Sequence, residues 1–285
     1  MEQKIQFIEC PRDAMQGWPQ LIPTEKKIEY INSLLQVGFH SIDFGSFVSP
    51  KAIPQMADTK AVLEGLDLSS STSKLLAIVA NERGAQEAVG FDKVTYLGFP
   101  FSISETFQQR NINSSIKESL QRVEAIQKIC MLAQKQLVVY LSMGFGNPYG
   151  DPYTEEILHL WAREMVVRGV GIISLADTVG LATPAQISLA LSTLISAYPQ
   201  ALIGVHLHST KENWQAKLEA AIGAGCKRID SAIKGIGGCP MSGSALVGNM
   251  DTELVFAFLQ QKGLAPSLNG PALQKSLSLS SEIFV

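Results

Sequence analysis

Cysteine and histidine are scarce in this sequence, with four of each among 285 residues. The cysteines stand at positions 10, 130, 226 and 239, and no two of them form a close-spaced pair of the CxxC kind. A disulfide framework is therefore not expected, and reduced thiols in a cytoplasmic setting are. No apolar run reaches the ~20 residues of a membrane-spanning helix, and no hydrophobic leader is expected after Met1. Positive charge is not in excess: 23 Lys and Arg stand against 26 Asp and Glu, a formal net charge of −3. Neither nucleic acid nor an anionic membrane surface is expected as a partner. Apolar residues are plentiful, at 46% of the chain, and suffice for a large core.

Short runs rich in β-branched and apolar residues recur at 5–10, 40–44, 75–79, 93–98, 137–142, 171–176, 202–206 and 228–232. After each comes a stretch with helical spacing or helix-starting residues. Helices are expected at 24–37, 56–66, 82–89, 116–133, 154–168, from 184, at 212–222 and at 251–261, with Thr24 and Thr183 as caps and Pro184 in the first helical position. Strands separated by helical crossovers pair in parallel. Eight such units without a linker predict an α/β fold, a single-domain (βα)8 TIM barrel spanning 1–285, with residues from about 263 as a C-terminal tail.

Active sites of such barrels lie at the carboxyl ends of the strands, and the unusual residues of this chain fall there. Arg12 and Asp13 follow the first strand where a loop should start, Asp43 and Ser46 end the second, and Asp177 and Thr178 follow the sixth. His206 and His208, at i and i+2, project from one face of the seventh. The segment Lys234-Gly235-Ile236-Gly237-Gly238-Cys239-Pro240-Met241, with Asn249 beyond it, follows the eighth. Barrel closure puts the eighth strand between the seventh and the first, so Asp13, the two histidines and Asn249 come from consecutive staves. A carboxylate, two imidazoles and an amide oxygen suit a divalent cation with positions left for water and substrate.

Each feature also has a plainer reading. His-x-His occurs on strands without a metal, adjacent Arg and Asp are commonly a surface ion pair, and Asp-Thr commonly caps a turn. The glycines Gly235, Gly237 and Gly238 allow close backbone approach to a ligand, or an anion nest. Cys10 and Cys226 sit in apolar contexts that suggest packing, and His40 and His159 lie outside the clusters. Two imidazoles and a carboxylate also describe a non-haem Fe(II) oxygenase, and a barrel that keeps metal or CoA binding without turnover is a third option.

Several segments together resemble the 3-hydroxy-3-methylglutaryl-CoA lyase family. They are Ile8-Glu9-Cys10-Pro11-Arg12-Asp13-Ala14-Met15-Gln16, Ser46-Phe47-Val48-Ser49-Pro50-Lys51, Pro54-Gln55-Met56, Arg110-Asn111-Ile112-Asn113-Ser114-Ser115-Ile116, Asp177-Thr178-Val179-Gly180 with Thr183-Pro184, His206-Leu207-His208 and Gly235-Ile236-Gly237-Gly238-Cys239-Pro240. The likeness runs over nearly the whole chain in the same motif order. It implies a (βα)8 barrel that uses Mg2+ or Mn2+ to cleave an acyl-CoA thioester to acetyl-CoA and acetoacetate, and a homodimer. By similarity, Asp13, His206, His208 and Asn249 hold the metal, Arg12 stabilises an enolate, Cys239 transfers a proton, and Asp43 is expected with them among the catalytic residues. Gln16, Ser46, Asp177, Thr178, Gly237, Gly238 and Glu253 fall in matching segments and are expected near substrate. Three differences lie at the site. Asp43 stands where the family has a glutamate, Ser209-Thr210-Lys211-Glu212 stand where it has Asp-Thr-Tyr-Gly, and the spacing from Cys239 to Asn249 is one residue longer.

Overall fold

Eight strands pair in parallel in chain order: β1 (Gln6–Glu9), β2 (Ser41–Ser46), β3 (Lys74–Ile78), β4 (Val94–Ser102), β5 (Gln136–Ser142), β6 (Ile172–Ala176), β7 (Leu202–His206) and β8 (Arg228–Ser231). Strand β8 pairs back on β1, with Ile8 opposite Asp230 and Glu9 opposite Ser231, so the sheet closes. The computed structural model describes residues 4–238 and 247–285. The expected single-domain (βα)8 barrel is the observed architecture.

Eleven α-helices surround the strands among the described residues: α1 (Pro11–Gln16), α2 (Thr24–Leu35), α3 (Thr59–Glu64), α4 (Glu82–Val89), α5 (Glu105–Ile112), α6 (Ile116–Leu132), α7 (Glu155–Val167), α8 (Pro184–Ala197), α9 (Trp214–Gly223), α10 (Thr252–Gln261) and α11 (Gly270–Ile283). Local chemistry sets most of their starts. Thr183 and Gln186 form a reciprocal capping box ahead of α8, and Ser115 and Glu118 do the same for α6. Thr24 does not cap α2: Pro23 holds that position, and the Thr24 hydroxyl donates instead to Asp58 at 2.8 Å. The tail beyond residue 263 ends in the fourteen-residue helix α11. It is tied to α2 by a 2.8 Å contact between the hydroxyls of Ser33 and Ser276 and by Phe284 packing edge-on to Tyr30, and Phe284 also meets Trp18 ahead of that helix.

Two apolar layers follow from the alternation of the strands. One set of side chains packs outward against the helices, as with Phe7, Ile42, Leu97, Val139, Ile173 and Val205. The other fills the barrel, where Leu76, Ile78, Tyr96, Val138, Tyr140 and Ile172 form a separate cluster. The interior is not wholly apolar. Arg228, only 2% exposed, reaches Tyr140 Oη at 3.4 Å and Asp230 at 3.3 Å. Gly204 on the neighbouring strand makes room for that arginine, since a Cβ there would lie 2.8 Å from the Arg228 side chain. Among the described residues no helix is long and apolar enough to cross a membrane.

Candidate functional site

Arg12 and Asp13 are not in a loop. Pro11 opens the short helix α1 directly after β1, because proline has no N–H to lose in a first helical turn, and this turn directs both side chains over the carboxyl end of the barrel. Arg12 is 8% exposed and forks onto Asp43 of β2: its Nε lies 3.2 and 3.0 Å from the two carboxylate oxygens, and Nη2 donates to Oδ2 as well. Its Nη1 donates to Asp13 Oδ1 at 3.0 Å. One guanidinium thus bridges two buried carboxylates, which is not the exposed ion pair that adjacent charges usually form. Burial alone would raise both acids. For Asp13, the charges of Arg12, His206 and His208 and the hydrogen bond from Asn249 prevail and hold it well below the usual carboxylate range. For Asp43, burial prevails over Arg12, with Asp13 and Asp230 adding to it, so its carboxyl is pushed up.

The two imidazoles lie side by side at the end of β7, with ring centroids 5.4 Å apart. His206 Nδ1 faces Asp230 Oδ2 of β8 at 3.2 Å, and His208 Nδ1 faces the carbonyl oxygen of Thr178 at 3.0 Å. Each Nδ1–H therefore has an acceptor behind it, which leaves Nε2 with its lone pair. His208 Nε2 is buried and has no hydrogen-bond partner. Burial, and then the charge of His206, push the His208 pKa down to about 4, so its ring is neutral at pH 7. Burial also acts to lower His206, but the Asp230 hydrogen bond and the charge of Asp13 outweigh it and its pKa is raised.

A ligand atom from each of Asp13, His206 and His208 lies within 4.8 Å of the others. Asn249 joins them through an isolated antiparallel bridge to His208, reinforced by Ser209 N–H donating to Gly248 O at 2.9 Å. Its Nδ2 donates to Asp13 Oδ2 at 2.8 Å and to Ile236 O at 2.9 Å. A half-turn of this amide would put its oxygen where Nδ2 now stands and would give up both bonds. Gly237 packs against this pair with φ at +126°, and a Cβ there would fall 2.2 Å from Asn249 Nδ2 and 3.0 Å from Asp13 Oδ2. The close approach expected of these glycines is thus made onto the cluster's own side chains.

The remaining candidates are placed as follows. Gln16, at the end of α1, donates to Asp13 Oδ1 at 2.9 Å. Ser46 is buried, and its backbone N–H goes to Thr59 Oγ1. Asp177 has both carboxylate oxygens in use: Oδ1 accepts from Ala182 N–H at 3.0 Å, and Oδ2 pairs at 2.7 Å with Lys217, both side chains 1% exposed. Lys217 Nζ also donates to His208 O at 2.8 Å, so Asp177 holds the backbone of a histidine. Thr178 Oγ1 accepts from Met143 N–H at 2.8 Å while its carbonyl orients His208. These contacts favour the turn-forming reading of Asp177-Thr178 and set both residues behind the imidazoles. Glu253 accepts from Lys234 N–H at 3.0 Å, at the entry of the glycine segment. Gly238 has φ at +118°, and Cys239 lies outside the described residues.

Two participants were not expected. Cys10 is fully buried, as its apolar context suggests, yet its thiol is grouped with His206 and Asp230 inside the barrel, ligand atom to ligand atom within 4.8 Å. Asp230 gave one signal in the sequence, an acid within the run expected as the eighth strand. An acid beside the histidines, absent from the segment after His208, is therefore supplied by the neighbouring strand. A carboxylate that accepts from the far nitrogen of a metal-binding imidazole fixes its tautomer and raises its basicity. Asp230→Asn is expected to weaken Mn2+ binding by roughly 10- to 100-fold, read by calorimetric titration of the full chain, with the fold retained by circular dichroism.

The donor set fits a divalent cation on the structure's own terms: an imidazole with an unpartnered nitrogen, a second imidazole with its Nδ1 anchored, and a carboxylate held ionised, each with a ligand atom within 4.8 Å of the others. The family described as HMGL-like matches residues 4–280 of this chain. The hydroxymethylglutaryl-CoA lyase of Bacillus subtilis is 34% identical over 277 residues, covering 96% of this chain and 89% of that protein. The mitochondrial hydroxymethylglutaryl-CoA lyase of Rattus norvegicus is 32% identical over 280 residues, covering 97% of this chain and 84% of that protein. A solved structure of an HMG-CoA lyase from Acinetobacter baumannii, in complex with coenzyme A and 3-methylmalate, is similar with a TM-score of 0.90 at 30% identity, covering 99% of this chain and 92% of that one. Barrel, rim cluster and nearly full-length similarity agree: this chain belongs to the HMGL-like family.

Proposed function

We propose that this chain is a divalent-metal-dependent carbon–carbon lyase that cleaves 3-hydroxy-3-methylglutaryl-CoA, or a close 3-hydroxyacyl-CoA, to acetyl-CoA and acetoacetate. The observation that carries this is the grouping of Asp13, His206 and His208, the last with an unpartnered Nε2, at the carboxyl end of a barrel whose relatives are hydroxymethylglutaryl-CoA lyases. In a retro-Claisen cleavage the tertiary hydroxyl loses its proton and its carbon becomes the ketone of acetoacetate. The C2–C3 bond breaks, and its electron pair passes to the acetyl thioester as an enolate, which then takes a proton at carbon.

Asp13, His206, His208 and, after its amide turns, Asn249 would hold Mg2+ or Mn2+, which supplies positive charge to the substrate hydroxyl and a neighbouring oxygen. Arg12 is fixed beside that point by Asp43 and Asp13, and a guanidinium has five N–H donors, so it offers preorganised charge to the enolate oxygen. Asp43 holds that guanidinium rather than touching substrate. Gln16 steadies Asp13, and Thr178 steadies His208. Cys239 returns the proton to the acetyl carbon. The partner is a CoA thioester, the setting the cytoplasm, and the assembly a homodimer, the last by resemblance.

The test is a screen of 3-hydroxyacyl-CoA thioesters with Mg2+ or Mn2+ under anaerobic conditions, with acetoacetate release as the readout. Turnover without oxygen separates the lyase from an Fe(II) oxygenase. A folded, Mn2+-loaded chain that releases no acetoacetate from any of them would sink the proposal. Cys239→Ser is expected to lower kcat by roughly 10²- to 10⁴-fold while Mn2+ affinity stays unchanged. Loss of the metal in that variant would remove the proton-transfer role.

A further inference from the structure

One fully buried carboxyl group takes no part in the cluster just described. Glu9 is the last residue of β1 and 0% exposed. Its neighbour Cys10 faces His206 and Asp230 inside the barrel, so Glu9 faces the opposite way, toward α10. Glu9 Oε1 accepts from Ile233 N–H at 2.9 Å, and Oε2 lies 2.6 Å from the Thr252 hydroxyl. Ile233 opens and Thr252 ends the segment that carries Gly235, Gly237, Gly238 and Asn249. Resting on the metal-site reading above, we propose that Glu9 is a positioning residue: it clasps the two ends of this segment and so sets Gly237 and Asn249 against Asp13.

Three further features make the clasp a built one. Thr252 Oγ1 lies 2.8 Å from Ser231 Oγ, which itself donates to Ile8 O at 3.3 Å, so the contact is anchored in β8 and β1. The two ends of the segment are zipped by Ala232 N–H to Met250 O at 3.0 Å and Thr252 N–H to Ala232 O at 3.1 Å. Immediately past Ile233 the backbone turns through two left-handed residues, Lys234 at φ +59° and Gly235 at φ +63°. A non-glycine residue in that region persists only where its surroundings hold it, and the Ile233 and Lys234 N–H groups are held by Glu9 and Glu253. Asn249 lies three residues before Thr252 and Gly237 four after Ile233, so a shift at the clasp reaches both within one turn of chain.

A buried acid between sheet and helices is costly, and a leucine would fill the space without that cost. What Glu9 adds is a pair of hydrogen bonds in two directions. Burial pushes its carboxyl up to about 8 against the pull of Thr252 and Ile233, with Glu253 and Asp251 adding to the rise. At neutral pH it therefore keeps its proton, and glutamine imitates it: the amide oxygen accepts from Ile233, and the amide nitrogen donates to Thr252.

The experiment compares wild type, Glu9→Gln, Glu9→Ala and Thr252→Val as full chains, measuring Mn2+ affinity by calorimetry and amide hydrogen exchange across 232–238 and 247–252. Glu9→Ala should raise the Mn2+ Kd about 10-fold and speed exchange in those segments at least about 10-fold, leaving β3 to β6 unchanged. Glu9→Gln should stay within about 3-fold of wild type in both, which a role in charge would not allow. A folded Glu9→Ala with wild-type Kd and wild-type exchange overturns the clasp. Should Glu9→Ala fail to fold, Thr252→Val decides by the same two readouts. A wild type that takes up no Mn2+ overturns the metal reading instead, and the exchange arm still decides the clasp.

Discussion

Asp13→Asn is expected to fold and to lose Mn2+. The substitution keeps the shape of the side chain and an acceptor for Arg12 and Gln16, which now meet Oδ1 at 3.0 and 2.9 Å. It removes the one carboxylate in the cluster that its neighbours hold ionised. Hard divalent cations depend on carboxylate charge, and both imidazoles are neutral donors when they bind. Mn2+ Kd should rise at least ~100-fold, equivalent to about 2.8 kcal/mol, and kcat/KM should fall about 1,000-fold or more. Stability should fall by only about 1–3 kcal/mol, because Asn249 Nδ2 loses Asp13 Oδ2 as an acceptor and keeps Ile236 O. His206→Ala in the same titration should also lose most of its affinity. Wild-type binding stoichiometry in either variant would remove that residue from the ligand set.

The second large effect concerns Arg12 and falls on stability as well as turnover. Arg12→Met strips the shared partner from Asp13 and Asp43, which are 6% and 0% exposed. Removing one member of a buried ionic set typically costs about 3–5 kcal/mol, since the remaining charges stay buried without compensation. For a chain of this size that predicts a fall in Tm of roughly 10 °C, with turnover reduced by at least about 1,000-fold. Combining Arg12→Met with Asp43→Leu should recover much of the Tm and none of the turnover. Such a split is the expected signature of a guanidinium that both ties the barrel mouth together and serves the chemistry. Arg12→Lys should fall between them, because a single ammonium cannot fork onto Asp43 while reaching Asp13.

The element pattern was legible because each βα unit announces itself locally. Residues 82–89 and 202–206 emerge at their expected bounds as α4 and β7, and the Thr183 cap ahead of Pro184 is present with its reciprocal partner Gln186. Three helices escaped notice for different reasons. The six-residue α1 is too short for periodicity to show, and α5 lies in the stretch between the fourth strand and the helix expected at 116–133, ending at Asn113 in the left-handed conformation. Helix α11 has serines along its length, and packing on α2 rather than an apolar stripe decides it. Thr24 is the opposite case, a sound local signal displaced by a long-range carboxylate.

At the site, residue types and their strand-end positions were enough to gather Asp13, His206, His208 and Asn249, since barrel closure fixes which staves are neighbours. Their supporting partners were not recoverable in that way. Nothing in the order of residues says that His206 turns its Nδ1 to Asp230, that Asp177 spends its charge on Lys217, or that Asp43 is bound by Arg12. Such pairings depend on which side chains the interior layers of the barrel stack at the same height, and on how far each can reach.

By itself, the sequence determined the number of strands, their parallel order, and the carboxyl rim on which the polar residues collect. Period and punctuation are local properties, and closure of eight equal units leaves little choice. Tertiary structure alone decided which acid charges, which orients and which merely ties, because those roles are set by burial and by distances of about three ångströms between residues as many as 243 positions apart, as for Glu9 and Thr252.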